Sequence, residues 1–327
     1  MKRTKTVLTA VVLGTVMSLA VSGCTQSGGS GSGGAKQPTL AFIQGVAGDE
    51  FYISMECGIK AAATAAGAKV TVQGPTKFDP TLQKPIVDSV VASKPDAILV
   101  APTDVAAMQA PLKAAAAAGI KIVLVDTTVN DPSFAVSQIS SDNSGGGVAA
   151  FQAIQKAHPN GGKVLVISTD PGVSTSDARA AGFKSAVEKD RSFTFLGIQY
   201  SNNQPAKAAE IVTAALQKDP DIVGIFAANL FSAEGTATGV QQAGMGGKLT
   251  IVGFDAGPAQ VEQLKKGTVQ ALVAQEPAAI GKAGVTQALA ALNKQQVTAK
   301  IQTGFTIITK DNVDGDAKSA IYRSSCG

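Results

Sequence analysis

From residue 39 onward, short β-branched runs alternate with alanine-rich helical stretches almost without a break, and this rhythm narrows the fold more than any other feature. A first series of candidate strands covers residues 39–44, 69–73, 97–101 and 121–126; a second covers 136–140, 163–168, 193–199, 222–227 and 249–254. The runs are apolar throughout rather than alternating, as strands are when helices cover both faces of a sheet. That is the pattern of parallel α/β architecture. Two series, of four and five units, predict two doubly wound, Rossmann-like domains, because an eight-unit barrel would run as a single series. Residues 129–134 (VNDPSF) interrupt the rhythm, so the first crossover is expected there, with the second domain beginning at 136.

Ahead of this pattern lies a different kind of sequence. Lys2, Arg3 and Lys5 precede an apolar run over residues 7–20, and Val21-Ser22-Gly23-Cys24 resembles a bacterial lipobox. The run is too short to favour a spanning helix. Residues 1–23 therefore read as a lipoprotein signal peptide, Cys24 as the lipidated residue, and residues 24–37, with SGGSGSGG inside them, as a flexible tether. The expected location is the outer face of a bacterial cell membrane, held by the lipid.

Composition excludes several kinds of chemistry. The chain carries 28 cations and 24 acids; losing residues 1–23 removes three cations and no acid, leaving 25 − 24 = +1 and no basic surface to attract nucleic acid. One histidine and three cysteines are too few for most zinc sites or histidine-based triads. His158, before Pro159-Asn160-Gly161-Gly162, reads as a solvated residue at a helix end. Gly29-x-Gly31-x-x-Gly34 has dinucleotide-fingerprint spacing but precedes the first strand, and no phosphate loop is present. Asp311, Asp314 and Asp316 lack EF-hand spacing and read as a solvated turn. No metal, no cofactor and no catalysis are expected.

In open parallel sheets, ligands sit beyond the carboxyl ends of the strands. The residues in those positions are strongly polar: Asp49, Asp104, Asp126-Thr127, Asp142-Asn143, residues 170–177, Asn202-Asn203, Asn229 and Asp255. Asp126 and Asp255 could pair for glycosidase-type acid/base work, yet carboxylates at strand ends also grip hydroxyl groups without reacting. A sugar needs carboxylate acceptors, bifunctional amides and an aromatic face for its C–H surface. Phe51 and Tyr52, next to Asp49 after the first strand, supply that face in sequence.

At this point a family resemblance becomes legible. The segments GDEFYISMECGIKAAA (48–63), PDAILVAPTDVAAM (95–108), IKIVLVDTT (120–128), ISSDNSGGG (139–147), ARAAGF (178–183), IFAAN (225–229), IVGFDAGP (251–258) and VAQEPAAIG (273–281) follow one another in a characteristic order. From 39 to about 309 the chain resembles the periplasmic-binding-protein type I solute receptors of ABC importers, in the ribose-binding-like branch. The resemblance implies two lobes on a three-crossing hinge: 38–135 with 276–302, and 136–275 with 303–309, followed by a tail over 310–327. It implies ligand contacts at Asp49, Phe51, Tyr52, Asp126, Asn229, Asp255 and Gln275. It adds Asp177, where ribose receptors have an arginine, Arg179 two residues later, and Asn203 in place of an aromatic wall. Thr127 also replaces a family arginine, which argues against ribose itself.

The implied role is capture of a small neutral sugar or polyol for an ABC permease, by a monomer with no nucleic-acid partner. An alternative is a sugar or autoinducer-2-like sensory receptor feeding a membrane signalling partner. Residues 72–79 resemble rhamnose-type and autoinducer-2 receptors, although the latter carry a ligand lysine where this chain has Gly45. A LacI-type regulator would need an N-terminal helix-turn-helix where residues 1–36 read as export signal and tether. Cys57 and Cys326, left after lipidation of Cys24, read as a disulfide in an exported protein. Similar receptors pair a first-helix cysteine with one near the C-terminus, and the bridge would tie the tail to the first lobe.

Overall fold

The computed structural model describes residues 37–326, so the expected signal peptide, Cys24 and nearly all of the tether lie outside the described residues. The chain begins with β1 (Thr39–Ile43), α1 (Glu50–Ala65), β2 (Lys69–Gln73), α2 (Pro80–Ala92), β3 (Ala97–Val100), α3 (Gln109–Ala117), β4 (Lys121–Val125) and β5 (Ser137–Ser141). A second series follows: α4 (Asn143–Ala157), β6 (Gly162–Ser168), α5 (Ser174–Val187), β7 (Phe193–Tyr200), α6 (Pro205–Lys218), β8 (Ile222–Ala227), α7 (Leu230–Gln242), β9 (Thr250–Phe254), α8 (Pro258–Lys265) and β10 (Ala271–Gln275). The chain closes with α9 (Pro277–Leu292), β11 (Lys300–Thr303) and β12 (Phe305–Thr309).

Two six-stranded sheets result, ordered β2-β1-β3-β4-β5-β11 and β7-β6-β8-β9-β10-β12. Apart from their last strands, both follow one doubly wound pattern, with the strand order reversing beside β1 and beside β6. The central strands β1, β3 and β4 are buried almost end to end, whereas β2 alternates because it is an edge strand. Among the described strands, only β12 runs antiparallel, against β10.

The lobe boundary differs from the sequence expectation. Residues 136–140 do not open the second domain: β5 pairs in parallel with β4 and β11, as the fifth strand of the first sheet. The β4–β5 connection carries no helix, so the break in rhythm at 129–134 is an ordinary loop rather than a crossover. The chain changes lobes at Asp142, whose side chain accepts from the Gly145 N–H and caps α4. It returns between β10 and α9, which packs on α1, and crosses again at Gly304 between β11 and β12. Asp142 N–H donates to Thr303 O at 2.9 Å, so two of these crossings lie side by side.

β10 (ALVAQ) escaped the sequence reading because one β-branched residue in an alanine-rich context reads equally well as helix. His158 does end α4, yet it is half-buried and its Nε2 lies 3.0 Å from Thr250 Oγ1, so it is not merely solvated. The glycines of the 139–147 and 178–183 segments have a packing cause. A Cβ on Gly147 would strike the Arg179 carbonyl, and one on Gly182 the Ser144 carbonyl, so α4 and α5 cross in near backbone contact.

Candidate functional site

The carboxyl ends of the two sheets face each other across a narrow cleft of about 40 Å³, well below the roughly 300–1,000 Å³ found for small-molecule sites. The first lobe contributes Asp49, Phe51, Tyr52, Phe78 and Asp126; the second contributes Thr169, Val173, Thr175, Ser176, Arg179, Asn203, Asn229, Asp255 and Gln275. The lips touch. Val105 N–H donates to Gly172 O at 3.2 Å, and Thr128 N–H to Ser174 Oγ at 3.0 Å.

Helix caps deliver several of these groups. Asp49 is the N-cap of α1, its Oδ1 accepting from Phe51 N–H at 2.8 Å, and Asn229 is the N-cap of α7, accepting from Ser232 N–H. Capping therefore fixes both side chains at the cleft before any ligand arrives. The turn from Asp49 into α1 brings Phe51 and Tyr52 edge to face, with ring centroids 5.1 Å apart. Gly45 lies against Tyr52 and Phe78 so closely that a Cβ there would overlap both rings. A lysine at that position is incompatible with these aromatics.

Asp126 and Asp255 stand one residue past β4 and β9, both with left-handed backbones, at φ 64° and 77°. A non-glycine residue pays strain in that region, and such strain concentrates at functional sites. Each N–H donates at 2.8 Å to the neighbouring strand, Asp126 to Ile139 and Asp255 to Val273. Tyr52 donates to Asp126 Oδ2 at 2.8 Å, while Asp126 Oδ1 is buried with no partner. Asp255 is largely satisfied instead, with one acceptor direction left on Oδ2: Oδ1 accepts from Gln275 Nε2 at 2.6 Å and Tyr322 Oη at 3.0 Å, and Oδ2 from Leu230 N–H at 3.0 Å.

Arg179 is the one cationic residue among those lining the cleft. Its Nε donates to Asn143 Oδ1, one guanidinium nitrogen donates to Ala228 O, and its Cζ lies 3.8 Å from the centroid of the Phe254 ring. Burial raises the Asp126 carboxyl to about 6, against the stabilising effects of Arg179 and the Tyr52 hydroxyl. Asp49 is held well above its ordinary range, chiefly by burial and next by the charge of Asp255. Thr169 Oγ1 and Gln275 Oε1, like Asp126 Oδ1, are buried without partners. Buried polar atoms without a partner are costly, and a polyhydroxylated ligand offers both donors and acceptors to satisfy them. The carboxylates do not converge into a group able to hold a metal ion among the described residues.

Nine of the ten sequence-expected ligand residues line this cleft; Asp177 does not. Its Oδ2 accepts from Gly172 N–H at 3.0 Å, so it braces the loop whose carbonyl meets Val105. Position in the first turn of α5 explains this: its side chain folds back on the preceding loop. Asn203 faces Asn229, whose Nδ2 donates to it at 2.6 Å. Thr127 turns away to bond Pro102 O at 2.7 Å. Phe78, Thr169, Val173, Thr175 and Ser176 were not singled out from sequence, although residues 170–177 were marked as a polar strand end. Cys57 and Cys326 are bonded as a disulfide.

A family model described as periplasmic binding protein domain matches residues 40–296. An ABC transporter solute-binding protein from Agrobacterium vitis, solved with bound α-D-tagatopyranose, is 44% identical, with a TM-score of 0.86 over 88% of this chain and 100% of that one. A second from the same organism, with bound D-fucose, is 30% identical, with a TM-score of 0.83 over 87% and 100% of the respective chains. Among curated proteins, the ribose import binding protein RbsB of Bacillus subtilis is 27% identical over 86% of this chain and 90% of its own length.

Proposed function

This chain belongs to the periplasmic binding protein family, with the type I fold, and from that premise we propose that it captures a small neutral sugar or polyol between its lobes and delivers it to an ABC permease. The relatives are substrate-binding proteins, not enzymes, and nothing in the proposed role needs catalysis. One observation carries the ligand class: three buried, unpartnered oxygens, Asp126 Oδ1, Thr169 Oγ1 and Gln275 Oε1, line a cleft that also has aromatic walls. Hydroxyl groups both donate and accept, so a single sugar ring can satisfy acceptors and hydroxyls that a one-sided ligand would leave bare. The rings of Phe51, Tyr52 and Phe78 offer faces and edges to its C–H surface.

In this reading the ligand bridges the lobes and favours the closed arrangement, while the three crossings let each lobe move as a unit. The Cys24 lipid anchor keeps the receptor beside its permease, and the Cys57–Cys326 bond suits an exported protein. The sugars bound by the Agrobacterium vitis relatives, a ketohexose and a 6-deoxyhexose, are natural first probes.

A thermal-shift screen over pentoses, hexoses, ketohexoses, deoxysugars and sugar alcohols tests the ligand class, with calorimetry on any hit. A true ligand at a hundred times its Kd is expected to add about 2.7 kcal/mol to stability. A protein stabilised by none of these, under conditions where it is folded, would sink the proposal. Stimulation of ATP hydrolysis in vesicles carrying the permease tests delivery. A ligand-binding protein that leaves hydrolysis unchanged would favour the sensory alternative.

A further inference from the structure

The chain beyond β12 starts on the second lobe and finishes on the first. Asn312 Nδ2 donates to Ile307 O, and Lys265 pairs with Asp314 at 2.6 Å, which docks the start of the tail beside α8. Tyr322 then donates its N–H to Ala256 O, one residue past Asp255. Immediately afterwards Arg323 N–H donates to Ser54 Oγ at 2.7 Å, and Cys326 is bonded to Cys57, both partners lying on α1. Residues 322–326 therefore form a further connection between the lobes beside the three crossings.

At the centre of this strap the buried Tyr322 hydroxyl makes two bonds at once. It donates to Asp255 Oδ1 at 3.0 Å and accepts from Gln275 N–H at 2.9 Å, while its ring lies 6.0 Å from that of Phe51. A phenol has one proton to give and can accept in return, so this pairing uses its donor and locks its orientation. Burial, and next the charge of Asp255, raise its pKa well above the ordinary tyrosine value, so it keeps that proton. Without the hydroxyl, Gln275 N–H would lose its acceptor and Asp255 Oδ1 one of its two donors. Both residues face the cleft, yet Tyr322 is not itself among the residues lining it.

We propose that the C-terminal strap is part of the binding apparatus, with Tyr322 as a positioning residue that holds Asp255 and Gln275 in place for the ligand and the Cys57–Cys326 bond as its anchor on the first lobe. The proposal rests on the sugar-binding reading of the cleft. A residue outside the cleft and near the chain end thereby influences affinity through the second lobe's carboxylate. Positioning of this kind acts through pre-organisation: affinity is lost when the ligand must itself order the groups that bind it.

The test uses the full-length protein and a neutral sugar found by screening. Tyr322→Phe is expected to weaken binding about five- to tenfold, the loss of part of a hydrogen bond to a charged group. In an Asp255→Ala background the same substitution is expected to weaken binding by a smaller factor, because the bond to the carboxylate is already gone and only that from Gln275 N–H remains. Melting of the ligand-free variants, followed alongside, separates positioning from general stability. Wild-type Kd in Tyr322→Phe, a change confined to the melting temperature, or an equal fold-loss in both backgrounds would each overturn the proposal. If the wild-type protein binds none of the sugars, the sugar-binding reading fails first and this proposal fails with it.

Discussion

Asp126 and Asp255 occupy equivalent places in the two lobes, each one residue past the fourth strand of its sheet in a left-handed conformation and bonded to the next strand, yet their side chains are used differently. In the second lobe, Gln275, Tyr322 and Leu230 N–H surround the Asp255 carboxylate with three donors. In the first, Asp126 receives one hydroxyl, from Tyr52, and keeps a bare buried oxygen. The same backbone device thus builds a scaffold on one side and an open acceptor on the other. Local structure sets where a carboxylate stands; its neighbours across the fold set what remains for a ligand.

Asp255→Ala is expected to have the largest effect, because it removes a proposed ligand contact and strands three buried donors together. Each stranded donor costs roughly 1–3 kcal/mol, so both the melting temperature and the affinity should fall. Calorimetry with a denaturation scan checks this. A variant that loses affinity while melting like the wild type would erase the distinction between scaffold and open acceptor.

Asp126→Ala is expected to weaken binding by about ten- to a hundredfold while lowering the melting temperature less than Asp255→Ala, since only the Tyr52 hydroxyl loses a partner inside the protein. The same carboxylate gives the comparison a pH test. Its folded value of about 6 lies above that of the unfolded chain, so the ligand-free fold binds the extra proton. Asp126 therefore lowers stability as pH rises from about 4 to 6. A ligand hydroxyl donating to Oδ1 favours the ionised form, so affinity should rise over the window around pH 6. The groups bearing on this carboxyl are Tyr52, Arg179 and Asp255, and Asp49 shares the cleft with a raised value of its own. Asp126→Asn should therefore flatten the affinity–pH curve in part. An unchanged slope would show that the first-lobe oxygen is not the acceptor.

The smallest effect is expected at Asp177. Because it braces Gly172 rather than facing the cleft, Asp177→Asn should change Kd by less than about threefold, within the range of one weakened neutral hydrogen bond. Loss comparable to that of Asp126→Ala would restore it as a ligand residue and demand a different arrangement of the α5 loop.

Much of this protein is readable from local patterns. Apolar runs framed by helical stretches announce a doubly wound parallel architecture, because a strand buried on both faces must be apolar along its whole length. Asp126 and Asp255 were legible as site residues for the same reason: a polar residue directly after such a run stands at a carboxyl strand end. Asp49 and Asn229 were legible from the same position; that each also caps a helix is seen only in the structure. Tertiary structure alone decided the rest. Whether residues 137–141 belong to the first or the second sheet depends on lateral pairing with β4 and with β11, the latter more than 160 residues away along the chain. Asp177 turns from the cleft to bond the Gly172 N–H, while Arg179 is drawn into it by Asn143 Oδ1 and Ala228 O. Tyr322 reaches Asp255 across 67 positions, and Tyr52 reaches Asp126 across 74. A strand's periodicity reports which faces are covered. It carries no record of which distant side chain will complete a carboxylate's hydrogen bonds, because that is settled only when the lobes, the hinge and the C-terminal strap pack together.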